Sequence, residues 1–346
     1  MSEDDVHAPL NESELEELLS HPSDGVVDAM RRITGDIVIL GAGGKMGPSL
    51  ARMARRALDA VGRKDRVIAV SRFSAPGAEH ALAEFGVETV KADLTDTRSV
   101  EDLPDAANVL FLAGHKFGTT GNPSATWASN AAVPAIVAQR FTASRIVVFS
   151  TGNVYPLSAP IDRGSVETDP VGPVGEYSFS CLGRERIFQY YAEKNRTRVA
   201  IMRLNYAVDL RYGVLTDIAS KVFHSKPIDV RMGHVNVIWQ GDANARAIRM
   251  LEYAASPPFI LNITGRETIS VRDLAKKFGE RFRRPPVFTG LEEKTSLLSN
   301  AARSEQLFGM PAVPLDQLIA WTAVWVRNGG HLLDKPTHFE ARDGKF

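Results

Sequence analysis

Gly41, Gly43, Gly44 and Gly47 fall between a β-branched, apolar run, Ile37-Val38-Ile39-Leu40, and a segment with helical spacing from Ser49 to Leu58. The run has the length of a buried strand and is too short for a helix. Strand, glycine turn and helix in that order make a phosphate site. The helix N-terminus offers free N–H groups and partial positive charge, and glycine lets the backbone approach a ligand closely. Gly41, Gly44 and Gly47 recur at three-residue intervals, with Lys45 and Met46 inside the turn. The chemistry expected of them is a grip on the pyrophosphate of a dinucleotide.

The elements that must hold this turn follow from periodicity. Short β-rich runs cover Arg66–Val70, Glu88–Ala92, Asn108–Leu112, Arg145–Phe149 and Arg198–Leu204. Helical patterns lie between them, around 76–85 and 97–103, then 124–141, where Pro134 should introduce a kink, and 177–194. Alternating β and α at this spacing implies an α/β fold, a doubly wound parallel sheet covered on both faces. In such a sheet the residues just past the second strand face the adenosine ribose. Ser71 and Arg72 stand there, with no acid to accept from the 2′-hydroxyl of NAD. They suit a 2′-phosphate, so NADP is expected in preference to NAD. The polar loop from His115 to Pro123 follows the fourth strand on the ligand side, with His115 and Lys116 candidate substrate contacts.

Residues 1–34 precede the first strand and are expected to form a helical extension packed on the main domain. Asn11 and Glu14 have capping-box spacing, and Leu15, Leu18 and Leu19 form an apolar stripe. The dinucleotide-binding domain is expected to span 35–205 and to be rejoined at about 235–257. Residues 206–234 and 258–346 are assigned to a smaller substrate lobe and C-terminal tail, with helices around 270–284 and 315–328. The tail is either a loose terminus or a cover for the pocket or a subunit contact.

Acidic and basic residues balance at 41 each, which gives no long-range attraction to nucleic acid or an anionic membrane. The single cysteine, Cys181, excludes an internal disulfide and a cysteine-rich metal site, and no metal is expected. The acidic N-terminus lacks an apolar signal core, and no apolar run approaches a membrane span. A cytoplasmic protein acting on a small molecule is expected.

The G-x-x-G-x-x-G spacing resembles the short-chain dehydrogenase/reductases, a Rossmann-fold superfamily. With the remaining motifs the chain resembles their extended branch, the NAD-dependent epimerase/dehydratase family, over about 36–330. Asp93-Leu94 resembles the pair that contacts adenine, Leu112-Ala113-Gly114 the turn along the cofactor, and Asn130 the structural Asn of the long helix. Ser150 to Tyr155 resembles the Ser/Thr segment ending strand five, with Thr151 at the catalytic hydroxyl and Asn153 toward substrate. Arg203-Leu204-Asn205 resembles a shortened Arg-x-x-Asn turn, which places Asn205 at the cofactor. The resemblance implies a homodimer through helices 124–141 and 177–194.

In that family a Tyr and a Lys four residues later, on one helix face, carry the chemistry. The Tyr moves a proton at the substrate oxygen, while the Lys holds the nicotinamide ribose and lowers the Tyr pKa. Here Tyr177 matches, but its partner position is Cys181. A thiol carries no positive charge, so another cation must supply it, with Lys45, Lys116 and Arg184 the candidates, or the Tyr works differently. Cys181 itself is expected to be a small buried residue and not a nucleophile. Relatives acting on nucleotide sugars place an Arg where this chain has Val235, which leaves a diphosphate clamp unsupported there; His234 and Asn236 nearby are candidate substrate contacts. The resemblance implies an NAD(P)-dependent epimerase, dehydratase or oxidoreductase acting on a sugar-like polyhydroxylated substrate. The alternatives are an NAD(P)-binding protein without turnover and a non-redox lyase with a structural cofactor.

Overall fold

Period-2 alternation in the first strand shows why the sheet is buried on both faces: Ile37 and Ile39 enter one core, Val38 and Leu40 the other. The computed structural model describes residues 8–116, 118, 121–333, 335 and 337–345. The first seven residues, three of the loop after His115 (117, 119 and 120) and Pro336 of the tail motif lie outside them. Strands β1 (Ile37–Leu40), β2 (Val67–Ser71), β3 (Glu88–Lys91), β4 (Asn108–Phe111), β5 (Arg145–Thr151) and β6 (Arg198–Leu204) are all parallel. A seventh strand, Phe259–Ile263, pairs in parallel with β6 at the edge. The spatial order is β3-β2-β1-β4-β5-β6 and then this edge strand. The order reverses between β1 and β4, so a crevice opens beyond their carboxyl ends.

The expected α/β doubly wound sheet is therefore present, with one difference in its extent. The segment from 258 onward was assigned to the smaller lobe, yet Phe259–Ile263 belongs to the sheet. Its cue is a short apolar run bounded by Pro257-Pro258 and by Thr264-Gly265.

Helices α1 (Glu12–Leu19), α2 (Asp24–Arg32) and α3 (Gly47–Ala60) open the chain. One half of the capping box forms, Asn11 Oδ1 accepting from Glu14 N at 2.9 Å, while the Glu14 carboxylate reaches one residue further back and accepts from Leu10 N at 2.8 Å. Here the structure adds to the expectation of packing on the main domain. Val26, Ala29 and Met30 of α2 do join the sheet core, whereas Leu15 and Leu19 of α1 join the core of the second lobe. The extension thus bridges both.

Helices α4 (Ala78–Ala83) and α5 (Thr97–Glu101) are short crossovers. The long helix expected over 124–141 divides into α6 (Pro123–Trp127), a π-helical turn at Ala128–Ala132, and α7 (Val133–Arg140). Pro134 lacks the N–H that would bond the Asn130 carbonyl, which accounts for a break in the ladder there. Helix α8 (Gly175–Asn195) packs beside α7 and leaves Phe179 and Tyr190 more than half exposed.

The second lobe contains α9 (Val214–Phe223), α11 (Val271–Phe282) and α13 (Leu315–Arg327), while α10 (Gln240–Met250) packs back on α2 and α3 and α12 (Ala302–Phe308) lies on the edge strand. The tail is ordered against this lobe. Leu333 N donates to Arg211 O at 3.0 Å, Thr337 N to Asp217 Oδ2 at 2.9 Å, and Arg342 Nη2 to Thr295 Oγ1 at 2.8 Å. No helix among the described residues is long and apolar enough to cross a membrane.

Candidate active site

The three glycines of the motif have separate physical reasons. Gly41 has φ +89°, and a Cβ there would lie 2.6 Å from Ala113 N, so it makes the tight turn against the end of β4. A Cβ on Gly47 would collide with the Ala42 carbonyl, so Gly47 seats the start of α3 against the turn that leaves β1. Gly44 is exposed toward the crevice, and its Cβ would meet only Gly41 O, at 3.3 Å. It leaves the backbone at the start of α3 open to a ligand. These are the properties of a pyrophosphate cradle.

The crevice is a cavity of about 630 Å³, bounded by the glycine loop, the ends of β4, β5 and β6, α8 and the second lobe. Of the residues nominated from sequence, it brings together Gly41, Gly44, Lys45, Met46 and Gly47 with Gly114 and Lys116. Thr151, Asn153, Tyr177 and Asn205 line it too. Ser71, Arg72, Asp93 and Leu94 lie around the ends of β2 and β3 rather than on its walls. Ser71 Oγ would be 2.5 Å from a Cβ on Gly43, which places it beside the glycine loop. Arg72 is exposed, and its charge helps hold the Asp93 carboxyl below its usual range, chiefly set by hydrogen bonds from Thr95.

Three nominated substrate contacts are not on the wall. Asn236 is 1 % exposed and closed off by bonds to Asn205 and to the Ser299 carbonyl. His234 pairs with Ser270 in a two-stranded ribbon, and His115 is pinned through its backbone N–H and C=O to Asn130. Val235 is fully buried opposite Ile269, so no cation reaches the crevice from that position.

Thr151 and Cys181 are the polar side chains acting on the Tyr177 hydroxyl. Burial first, and then the neighbouring thiol, push the phenol well above the ordinary range, while Arg184 and Thr151 pull the other way. Burial also pushes the Cys181 thiol up, so it is neutral at pH 7. Burial draws Lys45 and Lys116 down to about 8 each; nearby Asp209 opposes this at Lys45, and Cys181 and Asp217 at Lys116. Lys45 reaches across the crevice to Ala207 O at 3.2 Å and lies 4.2 Å above the Tyr212 ring.

Sequence reasoning missed the far wall: Tyr206, Arg211 and Tyr212 from the lobe, and Leu333, Lys335 and Thr337 from the tail. Arg211 is neutralised by Glu16 of α1 at 2.7 Å and by Asp209 at 3.2 Å. The tail's Lys and Thr were visible as residues, but only tertiary docking puts them here. Among the described residues no cluster of His, Cys, Asp or Glu is arranged to hold a metal.

The fold and the cradle define a dinucleotide-binding α/β protein of the doubly wound type. Residues 37–211 match the model of the NAD dependent epimerase/dehydratase family, and the chain belongs to that family of NAD-dependent enzymes. The fold is similar to UDP-glucose 4-epimerase from Thermotoga maritima with UDP-glucose: TM-score 0.71, 16% identity, 85% of this chain and 99% of that one. It is similar to the Thermus thermophilus UDP-glucose 4-epimerase with NAD: TM-score 0.68, 17% identity, 84% of this chain and 99% of that one. It is also similar to UDP-glucuronic acid 4-epimerase from Bacillus cereus: TM-score 0.69, 15% identity, 84% and 99% covered. Among curated proteins none matches significantly.

Gly44→Val tests the cradle. A Cβ at position 44 presses on the Gly41 carbonyl at 3.3 Å, so a modest fall in thermal midpoint is expected, while dinucleotide affinity should fall by about tenfold or more, about 1.4 kcal/mol. Unchanged affinity in the folded variant counts against the loop as the phosphate site.

Proposed function

We propose that this chain moves hydride between NAD(P) and a hydroxyl-bearing carbon of a sugar-like, polyhydroxylated substrate. The observation that carries the reading is the placing of Thr151 and Tyr177 together on the crevice wall, beside a cradle whose Gly44 backbone is open to pyrophosphate. A bound nicotinamide supplies the hydride acceptor. Thr151 orients the reacting oxygen, and Tyr177 takes or returns its proton. Lys45, Gly114 and Asn205 are assigned to the cofactor and Lys116, Asn153 and the lobe tyrosines to the substrate, all on the walls of the one crevice. That the similar structures include UDP-sugar epimerases supports a sugar substrate.

Turnover of NAD(P) against a panel of polyols and ketoses tests this. Tyr177→Phe should lower kcat by about 10²–10⁴-fold, whereas Cys181→Ser should retain most activity, because a buried neutral thiol is neither proton shuttle nor nucleophile. Collapse in Cys181→Ser with survival in Tyr177→Phe would reverse the assignment.

The cofactor preference is NADP, supported by Ser71 and exposed Arg72 where an acid would read NAD. Titration of both cofactors should show tighter NADP binding, lost in Arg72→Ala; tighter NAD binding by the wild type sinks it. The assembly is a homodimer through α7 and α8, supported by Phe179 at 51%, Tyr190 at 58% and nearby Trp127 at 40% exposure. Sedimentation at micromolar concentration should give twice the chain mass, and a monomer would refute it.

A further inference from the structure

Position 181 has no positive charge, yet the same helix buries a cation three residues further on. Arg184 is 5% exposed. Its Nη1 donates to Phe149 O on β5 at 2.6 Å, its Nη2 to Asn130 Oδ1 at 2.7 Å, and its guanidinium lies 5.6 Å from the Phe111 ring centroid. A carbonyl, an amide oxygen and an aromatic face orient the group, and none neutralises it. Its Nε is buried without a hydrogen-bond partner, and among the described residues it forms no ion pair. The end of β4 is shaped around it: a Cβ on Gly114 would lie 2.4 Å from Nη2.

The other charges facing Tyr177 and Cys181 are accounted for. On the same helix, Glu185 is buried against Arg203, with Nε at 3.0 Å and Nη2 at 2.8 Å, and also accepts from Ser150 of β5 at 2.5 Å. Thr151 of β5 contributes a hydroxyl. From the loop after β4, Lys116 also acts on Cys181; its ammonium, drawn down to about 8 by burial, is mostly charged at pH 7 and loses that charge above it. A guanidinium keeps its charge throughout that range. Arg184 acts on both the thiol and the phenol.

We propose that Arg184 is a positioning residue of the reaction: its guanidinium, fixed by Phe149 and Asn130, supplies the positive charge that position 181 lacks and stabilises negative charge on the Tyr177 oxygen. This rests on the redox reading of the same crevice. An uncompensated buried cation is costly to stability. The cost is sensible where negative charge develops during turnover.

The only cysteine in the chain reports the local potential without turnover. The pH dependence of the Cys181 13Cβ chemical shift reads this thiol alone. Removing a nearby cation disfavours the anion, so Arg184→Met should raise the Cys181 midpoint by about one pH unit. The rise of alcohol oxidation with pH should move up by a similar amount, kcat at neutral pH should fall about tenfold, and KM for the dinucleotide should hold. Arg184→Lys should restore most of both. Gly114→Ala, which displaces the guanidinium without removing it, should shift the midpoint in the same direction if Arg184→Met fails to fold. An unchanged midpoint in folded Arg184→Met, or a larger shift in Lys116→Met, overturns the proposal. Absence of hydride transfer in the wild type, by contrast, would refute the redox reading, and the thiol titration would still decide whether Arg184 sets the potential.

Discussion

The ion pair between Arg203 and Glu185 is the contact on which the site depends. Both groups are nearly or wholly inaccessible, and each is satisfied several times. Arg203 on β6 grips the Glu185 carboxylate of α8 and donates to Tyr155 OH at 2.7 Å. Tyr155 donates to Asn262 of the edge strand at 2.8 Å, and Asn262 donates to Ser165 O at 2.9 Å. Ser150 at the end of β5 closes the network on Glu185. Removing one partner of such a pair strands the other charge and typically costs about 3–5 kcal/mol, a large part of a domain's net stability. The network therefore sets the rotation of α8 against β5. Thr151 follows Ser150 on the strand, and Tyr177 lies two helical turns before Glu185, so their mutual distance is inherited from this charge pair.

Around that rigid centre, the crevice is completed by the two ends of the chain. Helix α1 contributes Leu15 and Leu19 to the lobe's core and Glu16 to Arg211 on the rim. The tail returns over the same lobe: Thr337 holds Asp217, and Gly344, at φ +71°, packs so closely that a Cβ there would be 2.2 Å from Val174 O. Val174 directly precedes α8. The tail thus touches both the wall opposite the glycine loop and the start of the helix carrying Tyr177. Lobe and sheet are held together by segments remote in sequence, α1 and the described tail among them.

The sheet was largely legible because its strands are consecutive apolar runs, each separated by a crossover, and burial on both faces leaves little other reading for Ile37–Leu40 or Arg145–Phe149. Phe259–Ile263 carried a similar pattern, but it follows the rejoining helix α10, and chain order alone does not say which sheet edge it joins. The cradle was legible for the same local reason: turn, close approach and helix packing all lie within seven residues. The substrate wall was not. His234 and Asn236 are polar and near the lobe in sequence, yet His234 sits half-buried in a ribbon off the crevice wall and the Asn205 bond holds Asn236 inside, while Tyr206 and Tyr212 had no motif to announce them.

Pro134 shows how a local rule acquires a consequence that only the fold reveals. Its missing N–H predicts a break in the helix, and the break is the π turn at Ala128–Ala132. Asn130 lies within that turn, wholly buried. Its Oδ1 accepts from His115 N at 2.8 Å and from Arg184 at 2.7 Å, and its Nδ2 donates to His115 O and to Ser180 Oγ, both at 2.9 Å. One amide therefore fixes the loop after β4, the middle of α8 and the guanidinium between them. An unbroken α-helix would carry residue 130 at a different angle to β4, and the amide could not meet both the loop backbone and Arg184. The proline sets the geometry of the turn, and the turn sets where the buried positive charge sits.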